Sequence, residues 1–159
     1  MDDRRIVRIT LDDRSVVRRG GDVEHERAVA IYDLLEANHF APDCEAGGPY
    51  GLHLRIEEGR LLFEIRDGAE EGAAIVATVP LALGPFRRIV KDYFTVCEAY
   101  YNAIKTASPS KIEAIDMGRR GLHDEGAAAL RERLAGRIEI DENTARRLFT
   151  LLCVLHIKG

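Results

Sequence analysis

The sequence predicts an α+β protein: an N-terminal strand and helix, an antiparallel β-meander, and a mostly helical C-terminal half packed on the sheet. Three observations predict it. Apolar residues alternate with polar ones in three successive stretches between Leu52 and Leu83. From Pro85 onward the apolar spacing changes to the helical repeat. The strands follow one another before the helices begin, which differs from the alternating order of a parallel βαβ sheet.

Taken in order, Val7, Ile9 and Leu11 alternate with Arg8 and Thr10 and read as a half-buried strand. A loop at Arg18–Gly21 precedes Asp22, an expected N-cap with Glu24 and Glu26 in the first turn, opening a helix that reaches about Asn38. The glycine-rich stretch His39–Gly51 reads as a long connection. It lacks the Gly-Lys-Ser/Thr of a phosphate loop and follows a helix rather than a strand. "LHLRIEEGRLLFEIRDG" is a hairpin turning at Glu58-Gly59, with Leu52, Leu54 and Ile56 on the same face as Leu61, Phe63 and Ile65. Ala73–Leu83 adds a third strand, which Pro80 ends or places on an edge.

Pro85 then starts a helix to about Ala107, with Tyr93, Cys97, Tyr100 and Ile104 in its stripe. Ser108 caps the next helix with Pro109 at its first position, and Ser110-x-x-Glu113 offers a capping box. That helix is expected to end near Gly121, where a left-handed glycine would close it, and a further one to span about Glu125–Leu134 and stop at Gly136. "RIEI" reads as a short strand, and Asp141 caps a last helix to about His156. Only Asn143, Arg146, Arg147 and Thr150 give that helix a polar face, so most of it must be covered. No repeat, linker or low-complexity tract interrupts the 159 residues, so one domain, 1–159, is expected.

Composition narrows the function classes. The chain is 46% hydrophobic and 31% charged with net charge −4, which suits a globular protein and opposes a general electrostatic grip on nucleic acid. The longest apolar run, Leu148–Ile157, is about half the ~20 residues that span a bilayer, so no membrane association is expected. The charged N-terminus has no signal-peptide core, and a cytoplasmic location follows as the expectation. Cys97 and Cys153 read as small core residues and Cys44 as a free loop thiol. No CxxC or Cys/His metal spacing occurs, and "EHER" at Glu24–Arg27 is not HExxH because Val29 stands four residues beyond His25. No metal and no cofactor is therefore expected. His25, His39, His53, His123 and His156 are dispersed, and spacing does not say whether any of them converge.

The chemistry concentrates in "IEAIDMGRRGLHDEG", Ile112–Gly126. Read as a joint between two helices, Gly121 ends the first, Arg119 and Arg120 complement its C-terminal dipole, and His123 or Asp124 caps the second. Read as a site, Arg119 and Arg120 are forks for phosphate or carboxylate, and His123 is the single weak candidate for acid/base work. From Pro85 to His123 seven Lys/Arg stand against four Asp/Glu. That makes Arg87, Arg88, Arg119 and Arg120 a basic face on an acidic protein, suited to an anion or an acidic partner. "LAGRIEIDENTARRLF" invites a helix-turn-helix reading, but its connection is too long and its second helix too apolar, so DNA is not the expected partner.

Four strings, "EHERAVAIYDLLEANHFAP", "FRRIVKDYF", "IEAIDMGRRGLHDEG" and "TARRLFTLLCVLH", together with nearly the whole chain, closely resemble an uncharacterised (UPF-class) family of small alphaproteobacterial proteins. The resemblance implies no catalytic residues, because that family carries no assigned activity. It implies a housekeeping, translation-linked role, because members are encoded close to a histidine-biosynthesis dehydrogenase, a low-molecular-weight phosphatase and a translation initiation factor. The resulting expectation is a non-enzymatic binding or regulatory module that meets a protein partner, or a second copy of itself, through the basic helical face. The alternatives are a small enzyme or sensor for an anionic metabolite and an RNA-binding protein.

Overall fold

The computed structural model describes residues 2–12 and 21–155, with the backbone alone for 21 and 22. Strand β1 (Ile6–Leu11) is followed by helix α1 (Gly21–Glu36) and a short strand β2 (Phe40–Pro42). Strands β3 (Tyr50–Glu57), β4 (Arg60–Asp67) and β5 (Ile75–Ala82) come next. Helices α2 (Arg87–Thr106) and α3 (Pro109–Leu134), strand β6 (Ile138–Ile140) and helix α4 (Glu142–Leu155) complete the described chain. Arg18–Gly20 and His156 lie outside the described residues, and α1 opens at Gly21, one residue before the expected cap at Asp22.

The meander forms as its alternation dictates. β3 pairs antiparallel with β4 in the register Leu52–Ile65, Leu54–Phe63, Ile56–Leu61, which brings the two predicted apolar rows onto one face. The two-residue turn takes positive φ at both Glu58 (52°) and Gly59 (75°), the primed-turn geometry whose twist matches the strands it joins. β5 pairs with β4 and is an edge strand, which is why Pro80 is tolerated there. Arg137 donates to the Pro80 carbonyl at 2.6 Å and covers part of that edge. The other edge is β1, and it runs parallel to β3, joined to it through α1. The Asn38 side chain extends this edge by accepting from Ile6 N–H at 2.7 Å and donating to the Ile6 carbonyl at 3.0 Å. It also receives the end of α1 by donating to the Leu34 carbonyl, so α1 stops short of Asn38.

The His39–Gly51 connection holds a strand that periodicity did not reveal. β2 pairs with β6, Phe40 opposite Ile140 and Pro42 opposite Ile138, and three residues are too few for a pattern of their own. Arg4 fastens the rest of the segment through hydrogen bonds to Tyr50 Oη at 2.6 Å and to the Pro42 and Ala46 carbonyls at 3.3 Å.

In the helical half, Ser108 Oγ accepts from Lys111 N–H, so Ser108 rather than Ser110 caps α3. Asp141 Oδ1 accepts from Thr144 N–H at 2.8 Å and caps α4. One expectation needs correction. α3 does not end near Gly121 but runs through Gly118, Gly121 and Gly126 to Leu134, and Gly136 (φ 88°) follows its end. None of the three inner glycines has a positive φ. Their helical cost, roughly 1 kcal/mol each relative to Ala, is offset by the buried face of Ala127, Leu130 and Leu134. Gly126 has a packing reason: a Cβ there would lie 2.2 Å from Phe149 Cζ, so only glycine lets α3 approach α4 this closely.

α4 is the central helix. Thr144, Ala145 and every residue from Leu148 to Leu155 are buried, and one apolar cluster connects them to Leu54, Phe63 and Leu81 of the sheet. The opposite face of the sheet carries Arg55, Glu64 and Arg66. Glu64 is 7% exposed and accepts from both arginines. Burial alone would raise its carboxyl pKa; the Arg66 and Arg55 hydrogen bonds outweigh burial and hold it below the usual range. Glu64→Gln is expected to cost about 1–2 kcal/mol in urea unfolding at pH 7, since it removes charge-assisted bonds and leaves two cations sharing an amide.

Candidate functional site

Arg119, Arg120 and His123 line one cavity of about 250 Å³ between α1, α3 and α4. Arg146 and Arg147 of α4 join them, and Glu26 and Asp33 of α1, Tyr93 of α2 and Thr150 of α4 complete the wall. Helical spacing explains the convergence. Arg119, Arg120 and His123 fall within four residues on α3, and Arg146, Arg147 and Thr150 do the same on α4.

The arginines are held by carboxylates. Asp116 accepts from Arg119 at 2.6 Å and pairs with Arg120 at 2.9 Å. The Arg119 hydrogen bond is the main cause that holds the Asp116 carboxyl below the usual range. Arg119 also stacks over the Tyr100 ring, 4.9 Å from its centroid. Arg146 pairs with Asp124 at 3.3 Å and Arg147 with Asp33 at 3.6 Å. Two donors stand out. Arg120 is 68% exposed and shares its carboxylate with Arg119, so its fork is incompletely used. Arg146 Nε is buried and finds no acceptor among the described residues.

His123 is not the expected helix cap. It lies in the middle of α3, half-buried between the rings of Tyr93 (5.4 Å) and Phe149 (5.5 Å, edge-on). Its Nε2 lies 2.8 Å from Thr150 Oγ1, and that hydroxyl donates to the Arg146 carbonyl. Burial, followed by the nearby Arg146 charge, pulls the imidazole pKa down to about 4. Near neutral pH the ring is uncharged and fixed.

Arg87 and Arg88 are not brought to this cluster. Neither lines the cavity, whose α2 wall is Tyr93; Arg87 lies six positions before it, about 9 Å along the helix at 1.5 Å per residue. Both are exposed, and Arg88 pairs with Asp92 at 3.7 Å. The described histidines are also scattered. His25 and His39 are exposed, and His53 Nδ1 lies 2.6 Å from Thr10 Oγ1 on the sheet face. Among the described residues no set of three or more His, Cys, Asp and Glu is placed to hold a metal, and no helix is long and apolar enough to cross a membrane. Arg146 and Arg147 are the functional candidates that sequence reasoning set aside. Two charges on an otherwise buried helix require partners, which the structure supplies as Asp124 and Asp33.

A larger hollow of about 570 Å³ lies on the outer face of the sheet, lined by Arg8, Thr10, His53, Arg55, Glu64 and Arg66 among others. Its cations are committed within the fold: Arg55 and Arg66 to Glu64, Arg66 also to the Ala73 carbonyl and Arg8 to the Ala69 carbonyl.

Fold and site together define an α+β protein with an arginine-walled cavity under its first helix. The chain belongs to the uncharacterised protein family UPF0262, whose model matches residues 3–158. It is 61% identical over 155 residues to the UPF0262 protein of Rhodopseudomonas palustris strain HaA2, covering 98% of this chain and 93% of that one. The UPF0262 proteins of Nitrobacter winogradskyi (61% over 155 residues; 98% and 91% covered) and Bradyrhizobium sp. strain ORS 278 (60% over 161 residues; 99% and 94%) are similarly close. No solved structure matches the chain.

Proposed function

We propose that this protein is a cytoplasmic, non-enzymatic binding or regulatory module that recognises an anionic group in the cavity formed by Arg119, Arg120, Arg146 and Arg147. The observation that carries this reading is the convergence of four guanidinium groups from two helices on one small cavity, with the buried Arg146 Nε lacking an acceptor among the described residues. A phosphate or carboxylate oxygen is the acceptor that a guanidinium fork matches best. The state of His123 favours binding over catalysis. A general acid or base works best with a pKa near the working pH, and this ring has one near 4, with Nε2 tied to Thr150 and both neighbouring rings packed on it. It serves as a neutral wall and a fixed dipole.

Titration with phosphate and pyrophosphate, followed by calorimetry at two salt concentrations, tests the reading. Binding should be present, weaken with salt, and fall at least tenfold in Arg120→Gln/Arg147→Gln, while Arg88→Gln binds as wild type does. No heat from either anion at millimolar concentration, or equal loss in Arg88→Gln, would overturn it.

A further inference from the structure

Resting on that reading, we infer that the ligand is an anionic amphiphile, whose acidic head meets the arginines while its apolar tail enters a second cavity that adjoins the first. The second cavity, about 330 Å³, lies between α1, α2 and α4. It meets the arginine cavity at Glu26, Tyr93 and Thr150, which line both. Together they fall within the volume range of small-molecule sites.

The two ends differ in chemistry. Beyond the junction the wall is made by Val23, Phe94, Cys97, Tyr101, Cys153 and Val154. The two thiols are buried and free. Burial lifts the Cys97 pKa to about 11 and that of Cys153 well above its ordinary value, so both present uncharged, polarisable sulfur. The apolar part of this wall lowers the free energy of an alkyl chain. The polar rim of this end is Glu98, Asn102 and Lys105.

The junction sets the orientation. Glu26 accepts from Tyr101 Oη at 2.9 Å, which anchors a carboxylate between the two ends. A negative head is repelled there and attracted by the guanidinium groups beyond, so the amphiphile enters with one polarity. Carboxylates and phosphate monoesters share the required head chemistry; octanoate and octyl phosphate separate them.

The experiment measures dissociation constants for inorganic phosphate, octyl phosphate, octanoate and octanol, all below micelle-forming concentrations. Octyl phosphate or octanoate should bind at least tenfold more tightly than phosphate, because burial of several methylenes adds to the head contact. Octanol should bind more weakly than either. Asn102→Trp, at the exposed rim, should fill the tail cavity and return the octyl ligand to the affinity of inorganic phosphate. Its single tryptophan, in a chain that otherwise has none, reports folding and occupancy by fluorescence. Arg120→Gln/Arg147→Gln should weaken all the anions. If phosphate binds and the octyl chain adds nothing, the amphiphile is wrong and the anion site stands. If no anion binds, both readings fall. If octyl phosphate binds equally well without the two arginines, its head is not in this cavity and the inference is overturned.

Discussion

Gly126→Ala is expected to destabilise the protein by about 1–3 kcal/mol, whereas Gly118→Ala and Gly121→Ala each stabilise it by up to ~1 kcal/mol. All three glycines lie inside α3 with helical φ, so an alanine gains the same helical propensity at each. They differ only in what the new methyl group meets. At positions 118 and 121 nothing lies within 4 Å. At 126 the Cβ would fall 2.2–2.5 Å from three atoms of the Phe149 ring. That ring is fully buried and held edge-on by Tyr93 and His123, so it has nowhere to retreat. Urea midpoints of the three single variants check the prediction. A helix ending near Gly121 would give a different result, because a left-handed glycine there would make Gly121→Ala destabilising. Adding Phe149→Leu should rescue part of the Gly126→Ala loss, a coupling expected only for groups in contact.

The second large effect is on acid stability. His123 has a folded pKa of about 4 against 6.5 for the free side chain, so the folded state binds fewer protons than the unfolded state between these values. A depressed folded pKa means a contribution fully present above pH 6.5 and lost as the pH falls toward 4. The loss between pH 7 and pH 4.5 is about 2 kcal/mol, from 1.36 kcal/mol per pKa unit. Glu64 and Asp116, whose pKa values are also lowered, add their losses below the ordinary carboxylate range, so the window from 6.5 to 4.5 belongs mainly to His123. His123→Gln should flatten the pH dependence in that window while leaving the acid limb below it. A wild-type curve flat from pH 7 to 4.5 would mean that the imidazole is solvated and free to protonate, and it would reopen His123 as an acid/base residue.

Much of the architecture was legible because it depends on local periodicity and caps. The hairpin with its Glu58-Gly59 turn, the Ser108 and Asp141 caps and the stop at Gly136 all rest on residues close together in the chain. Two elements were not legible. β2 is three residues long and exists because β6, about a hundred residues later, pairs with it. The continuity of α3 opposes local propensity and is decided by what the helix buries, with Gly126 serving contact rather than termination.

The candidate site divides along the same line. Arg119, Arg120 and His123 were legible as chemistry, since cations and an imidazole at helical spacing fall on one side of a helix. Their surroundings were not. The addition of Arg146 and Arg147, the exposure of Arg87 and Arg88 outside the cavity, and the neutral state of His123 all follow from how the helices meet. The sequence by itself determined the elements other than β2 and the continuity of α3, the family and the residue types available for binding, because most helices, turns and caps are set by neighbours within a few positions. Only the tertiary structure decided which of those residues share a cavity and how each is charged, because burial and pairing depend on side chains that the chain order keeps far apart.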